Sequence, residues 1–232
     1  MNEGAFQLYR KLKLKGYYPK YVCEVGVYLP EESNILPFIN DDIPSILIEA
    51  DPKTVAILNN YFKKKSNVKI ISAAVFDFHG KVQLIRREAS TFITELKHSP
   101  ATVNDNYQVN DNDQFTADAI TFDEIDNGEI DLLSIDIEGA EWYVLKHMIS
   151  RPAIISLETH GKYYTNPFLS EIETWMQNNH YSPWFINKSD TIFVKSSTFR
   201  ITLKEKIHMK IIKIMLRIIK QKRNIKKILG NY

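Results

Sequence analysis

The sequence predicts an α/β fold, a mostly parallel and doubly wound sheet that ends in an antiparallel strand pair and carries a basic amphipathic C-terminal helix. Three observations predict it. Apolar runs of strand length alternate with segments whose apolar residues recur at helical spacing, the pattern of a parallel sheet covered on both faces. Acidic residues follow several of those runs. The last two runs flank a short polar turn, Asn187-Lys-Ser-Asp190.

Three segments follow from this pattern: an N-terminal helix within 1–20, a main domain over 21–198, and the C-terminal helix within 199–232. Gly4 to Lys15 reads as a short basic helix. Tyr21-Val-Cys-Glu-Val25 is a buried strand, followed by a short helix from Glu31 to Ile39 interrupted near Pro37. Ser45-Ile-Leu-Ile-Glu49 is the second strand. Asp51-Pro52 then pairs an N-cap with a first-turn proline, and Val55, Leu58 and Phe62 continue at helical spacing. Val68 to Ser72 is the third strand, and Gly80 to Ile85 alternates like a hairpin arm. Pro100 to Ala117, rich in Asn and Asp, reads as a long loop. Strands at Asp131–Ile135 and Ala153–Leu157 bracket a helix from about Ala140 to Met148; a helix from Phe168 to Asn178 and strands at Tyr181–Ile186 and Thr191–Lys195 complete the domain.

Composition narrows the class. With 44% apolar and 25% charged residues among 232, the chain suits one globular domain with an appendage. The single cysteine, Cys23, rules out an internal disulfide framework and agrees with a reducing, cytoplasmic compartment. Its apolar neighbours make it a buried, inert thiol. The N-terminus lacks the build of a signal peptide, and no stretch is apolar enough for long enough to span a bilayer.

Ligands of open α/β sheets bind outside the carboxyl ends of the strands. There the sequence places Glu24 and Gly26, then Glu49 and Asp51, then Asp136 and Glu138, then Glu158 and His160. An acid ending the second strand can accept hydrogen bonds from both ribose hydroxyls of an adenosine ligand. Gly26 permits close backbone approach. The turn after it, Val27-Tyr-Leu-Pro30-Glu-Glu, is bulky and acidic, which disfavours pyrophosphate and therefore NAD and ATP. It tolerates a cationic sulfonium with an amine.

These residues resemble a known family. Asp131-Leu-Leu-Ser-Ile-Asp-Ile-Glu-Gly-Ala-Glu-Trp-Tyr-Val-Leu-Lys146 is similar to the signature of FkbM-type methyltransferases, and Ile120-Thr-Phe-Asp123-Glu-Ile to the segment preceding it. Val22-Cys-Glu24-Val-Gly26 resembles the first cofactor motif, Ile46-Leu-Ile-Glu49-Ala-Asp-Pro the ribose-binding strand end, and Ser72-Ala-Ala74-Val-Phe-Asp77-Phe-His-Gly80 the stretch of adenine contacts. The similarity runs from about Tyr21 to His160. It implies a Rossmann-like methyltransferase fold, S-adenosylmethionine as cofactor, and O-methylation, often of sugars or other secondary-metabolite hydroxyls. The cofactor contacts so implied are Glu24, Gly26, Glu49, Asp51, Ala74, Asp136 and Glu138. Val27-Tyr-Leu-Pro30 stands where the family usually has Ala-Asn-x-Gly, and Ser134 where it often has Lys.

Methyl transfer to a sugar hydroxyl needs positioning and a base or a metal. Asp136, Glu158 and His160 are expected to surround the acceptor hydroxyl. His160 is the preferred base because imidazole titrates near neutrality; Glu158 orients it or shares its proton. The alternative uses Asp136, Glu158 and His160 as ligands for Mg2+ or Ca2+. Acceptor contacts are expected from the loops Glu88–Phe115 and Lys162–Asn166, with Arg86, Arg87, Thr91, His98, Tyr107, Tyr163 and Tyr164 as candidates.

Net charge is +2, yet Lys204 to Lys227 holds ten Lys or Arg against the single Glu205. That segment sums to +9 and leaves −7 for the remainder. Lys206, Lys210, Lys213, Arg217 and Lys220 share one helical face, and Ile207, Ile211, Ile214 and Ile218 another. This fits an anionic membrane surface, at the inner face of the membrane, and it also fits packing on the chain's own domain or a homodimer seam. Nucleic acid is disfavoured, because aromatics are not interleaved with the basic residues and the body is acidic. The functional classes that remain are a sugar or glycan O-methyltransferase with a lipid-linked acceptor as one form, an RNA or other small-molecule methyltransferase, and a non-catalytic ligand-binding module.

Overall fold

The computed structural model describes residues 3–87, 90–93, 113–160 and 164–228. Helix α1 (Glu3–Leu14) precedes β1 (Val22–Val25), a 3-10 turn (Pro30–Glu32), α2 (Leu36–Asn40), β2 (Ser45–Glu49), α3 (Pro52–Tyr61) and β3 (Val68–Ser72). A side sheet uses β4 (Ala74–Val75), β5 (Gly80–Arg87), β6 (Ser90–Ile93) and β7 (Gln114–Ile120). Then come β8 (Leu132–Ile135), α4 (Glu141–Lys146), β9 (Ile154–Glu158), α5 (Leu169–Asn178), β10 (Tyr181–Asn187), β11 (Asp190–Lys195) and α6 (Leu203–Ile228).

The main sheet has the order β10-β11-β9-β8-β1-β2-β3. Strands β3, β2, β1, β8 and β9 are parallel, and β11 enters antiparallel beside β9 with β10 outside it. Alternation along each strand divides the core. Val22, Leu47, Leu132 and Ile154 join Leu58 and Phe62 near α3 and Leu8 and Leu12 of α1 on one face. Cys23, Ile46, Leu133 and Ile155 join Val144 of α4 and Ile172 and Met176 of α5 on the other. The sheet is thus doubly wound, as expected, and α1 belongs to the same core as the domain it precedes.

The local expectations hold with three corrections. Asp51 caps α3 by accepting from the Lys53 N–H. Pro37 lies within the first two positions of α2 instead of interrupting a longer helix, where its missing N–H costs nothing. Residues from Gln114 onward, read as loop as far as Ala117, form β7, which pairs with both β5 and β4. Ala117 and Ala119 are its buried residues, and alanine carries little strand propensity. The helix expected to reach Met148 ends at Lys146. Of the acceptor-loop candidates, His98, Tyr107 and Tyr163 lie outside the described residues. No helix among the described residues is long and apolar enough to cross a membrane.

Candidate active site

The chain builds the main sheet outward from β1 through β2 to β3, then returns to place β8 on the other side of β1. This reversal is the crevice where open α/β sheets bind ligands. Val25 lies beside Ile135 in register, so the residues that follow, Gly26 and Asp136, are neighbours. The Gly26 N–H donates to the Ile48 carbonyl at 2.9 Å, and the Asp136 N–H to the Val25 carbonyl at 2.9 Å. Gly26 has φ +85°, and a Cβ there would stand 1.9 Å from the Asp136 carbonyl oxygen. No other residue type lets the two turns approach this closely.

Two clefts meet at that point. The first is bounded by Gly26, Val27, Tyr28, Ile48, Glu49, Ala73, Ala74, Leu84, Asp136, Ile137 and Glu138, among others. Its charged lining residues, among those described, are the acids Glu49, Asp136 and Glu138. The second is bounded by the 3-10 turn, the start of α1 and the β10–β11 turn. There Glu24, Glu32, Asp136, Glu138 and Asp190 face Lys188. Gly26, Tyr28, Asp136 and Glu138 line both clefts.

Glu49 ends β2 against the first cleft. Its Oε2 accepts from the Val27 N–H at 3.0 Å and its Oε1 from the Asp51 N–H at 2.6 Å. Two backbone donors fix the carboxylate and leave each oxygen a further lone pair. Glu24 is turned to the 3-10 segment: Ser33 Oγ donates to it at 2.5 Å and the Asn34 N–H at 2.8 Å. It therefore holds the bulky turn that follows Gly26. Asp51 caps α3 and forms a bidentate ion pair with Arg86, so it supports the wall next to Glu49 and does not itself line the cleft. Ala74 lines it directly. Asp77, in the same stretch, is drawn away by Lys146 at 2.6 Å and His147 at 2.8 Å.

The acidic turn after β8 has a strap that the sequence reading missed. Glu141 is fully buried. It accepts from the Ile137 and Gly139 N–H groups at 3.2 and 3.1 Å, closing a turn in which Glu138 takes φ +56°. The Asn166 amide donates to the other Glu141 oxygen and, at 3.2 Å, to the Glu158 carbonyl. Asp190 is the second missed member. The insertion of β11 sets it directly opposite Glu158, with Ser156 Oγ donating to it at 3.2 Å.

Crowded carboxylates in a poorly hydrated setting hold protons. Burial raises Glu24, Glu49 and Glu141 to about 7. Burial, then the charges of Asp136, Glu138, Glu141 and Asp190, raises Glu158 to about 10. In the ligand-free protein Glu158 is therefore protonated at neutral pH. Its Oε2 is buried with no hydrogen-bond partner among the described residues. Asp136 is solvent-accessible through the cleft yet walled by protein, and that enclosure raises its pKa. Tyr164, wholly buried among these acids, also titrates well above its usual value.

The expected trio is only partly assembled. Asp136 faces both clefts, whereas Glu158 and His160 line neither. His160 Nδ1 pairs with Thr159 Oγ1 at 2.8 Å, and Glu158 is not its partner. Burial lowers the His160 pKa. Among the described residues no group of three or more His, Cys, Asp or Glu is placed to hold a metal ion, so Asp136, Glu158 and His160 do not form the alternative Mg2+ ligand set. Ser134 is fully buried in β8 and touches no cleft.

The proton load has a consequence for stability. Acids whose folded pKa is raised stabilise the fold fully below their unfolded value, near 4.5, and lose that contribution as pH rises through the folded value. For Glu24, Glu49 and Glu141 this loss falls between about pH 4.5 and about pH 7. The melting temperature of the ligand-free protein should therefore decline from pH 5 to pH 8 in thermal scans. Glu141→Gln should flatten the decline; a profile that rises over this range would contradict the assignment.

Comparison with known proteins agrees with this geometry. The family model described as the methyltransferase FkbM domain matches residues 24–183. No curated protein matches the chain in sequence. Among solved structures, a Staphylococcus aureus protein provisionally called a caffeoyl-CoA O-methyltransferase is similar at TM-score 0.50 and 12% identity, covering 84% of each chain. The SAH-bound Podospora anserina methyltransferase PaMTH1 aligns at TM-score 0.45 and 13% identity over 83% of this chain and 77% of its own. A Pyrococcus horikoshii protein provisionally called an RNA methyltransferase aligns at TM-score 0.45 and 12% identity over 85% and 82%. Likeness at these identities speaks for the fold alone.

Proposed function

Because the chain belongs to the FkbM methyltransferase family, we propose that it uses S-adenosylmethionine to methylate a hydroxyl of a sugar or glycan. The observation that carries this reading is the pair of joined clefts at the sheet's switch point. One is suited to an adenosine, and the other opens beside it across Gly26 and Asp136. The first cleft fits the cofactor by its donor set. Glu49 is a fixed acceptor for ribose hydroxyls, Ala73 and Ala74 leave flat apolar space, and the acidic lining suits a molecule bearing a sulfonium and an ammonium. When bound, S-adenosylmethionine supplies an electrophilic methyl group.

The protein's part is to orient and to move one proton. Asp136 stands where the clefts join and can accept the proton of an acceptor hydroxyl as that oxygen takes up the methyl group. Its raised pKa makes Asp136 a stronger base than an ordinary aspartate. The second cleft offers carboxylates, Asn34 and Asn187 to hydroxyls, an arrangement that suits a neutral polyol and repels phosphate. This weighs against an RNA acceptor.

Labelled methyl transfer from S-adenosylmethionine tests the reading. Neutral sugars or glycans should be methylated, with phosphorylated sugars and RNA giving background. Transfer to RNA alone would overturn it. Two variants sharpen the assignment. Glu49→Gln should weaken S-adenosylmethionine binding about tenfold or more, the scale of one hydrogen bond to a charged group, as read by calorimetry. His160→Ala should lower turnover by less than about tenfold, below the usual contribution of a general base. A larger loss would return the base role to His160.

A further inference from the structure

Helix α6 is docked by one face only. Met209 is 3% exposed. Glu205 accepts from Trp184 Nε1 at 2.8 Å and pairs with Lys15 at 2.8 Å. Lys213 reaches Glu173 at 3.1 Å. At 3.6 residues per turn, these three positions share one side of the helix. Leu203, Ile207, Ile211, Ile214, Met215 and Ile218 fall on the opposite side and are exposed, from 45% for Ile218 to 73% for Leu203. The most apolar stripe of the helix is therefore turned away from the domain that holds it.

Charge identifies the occupant. Lys206 and Lys210 flank one edge of the stripe and His208 the other, by the same helical geometry, and Lys204 stands at its N-terminal end. The lone acid of the Lys204–Lys227 segment, Glu205, is spent on the docked side. A helix-on-helix seam between two copies would set one +9 segment against another. A lipid surface bearing anionic headgroups instead accepts both features at once, apolar side chains in the acyl boundary and lysines at the headgroups. We infer that α6 is a surface anchor. Its Leu203–Ile218 stripe enters the interface of an anionic membrane while the domain hangs from the docked face. This inference is independent of the methyl-transfer reading, since it concerns a surface on the far end of the chain from the clefts' motifs.

Co-sedimentation of the full chain with vesicles tests it. Phosphatidylcholine vesicles containing phosphatidylglycerol should carry the protein down, and pure phosphatidylcholine vesicles should carry several-fold less. Ile211→Asp with Ile214→Asp should lower partitioning at least tenfold, and Lys206→Glu with Lys210→Glu at least about fivefold. All four positions are exposed or half-buried on the helix, and unchanged melting temperature confirms that the variants are folded. Equal recovery with both vesicle types, or no effect of the aspartate pair, would overturn the inference. So would a stable dimer in sedimentation velocity that the aspartate pair dissociates while vesicle binding is absent, because the stripe would then belong to a second copy.

Discussion

Asp136→Asn should reduce turnover by about 10²- to 10⁴-fold, the range a positioned general base contributes, while S-adenosylmethionine still binds. The substitution keeps size and shape at the junction of the two clefts and removes the basic oxygen. Of the two predicted catalytic carboxylates, Asp136 lines both clefts and Glu158 lines neither, and among the described residues no backbone strap holds the Asp136 carboxylate, in contrast to Glu24, Glu49 and Glu141. Some cofactor affinity should go with the lost negative charge. The split matters: turnover falls by orders of magnitude, whereas the dissociation constant rises by much less. Turnover of the native protein should rise with pH as Asp136 ionises, and that rise should vanish in the variant. Activity within tenfold of the native protein would remove Asp136 from the proton transfer.

Gly26→Ala should cost the fold as well as the site. The added methyl would lie 1.9 Å from the Asp136 carbonyl oxygen and 2.8 Å from Ile137 Cγ2. Relief requires β1 and β8 to part at the switch point, in addition to the ~1–2 kcal/mol of left-handed backbone strain. A loss of about 3–5 kcal/mol is expected for so rigid a clash, which for a domain of this size lowers the melting temperature by roughly 10 °C. Gly16→Ala supplies the control. Gly16 also has positive φ, +70°, but nothing lies within 4 Å of its would-be Cβ. Its loss should be the strain alone. Equal destabilisation by the two variants would show that the close approach at Gly26 is of no consequence.

Much of this arrangement was legible in the sequence, because parallel strands buried on both faces declare themselves as apolar runs and their ends hold the ligand groups. Gly26, Glu49 and Asp136 were placed by that rule and Ala74 by the family resemblance, and all line the first cleft. Where the rule weakens, so does the reading. Glu141 looked like any helical glutamate. Its burial depends on the way Gly139 and the left-handed Glu138 fold the turn back over it. An acid at the first position of a short helix, two residues after a glycine, was the available signal. Asp190 is remote in sequence from Glu158, and they meet through the antiparallel insertion of β11, which local pattern does not encode. His160 was favoured for its intrinsic titration. The structure gives more weight to position, since Asp136 gains basicity from enclosure at the junction where His160 is absent. Strand β7 escaped notice because Ala117 and Ala119, its buried residues, are too small to mark a strand.

The most direct test of the central claim is calorimetric titration of S-adenosylmethionine into the native protein and into Glu49→Gln. Saturable one-to-one binding to the native chain, weakened about tenfold or more in the variant, is the predicted result. No binding to the native protein, or the same affinity for both, would contradict the assignment of the Gly26–Glu49 cleft as the cofactor site.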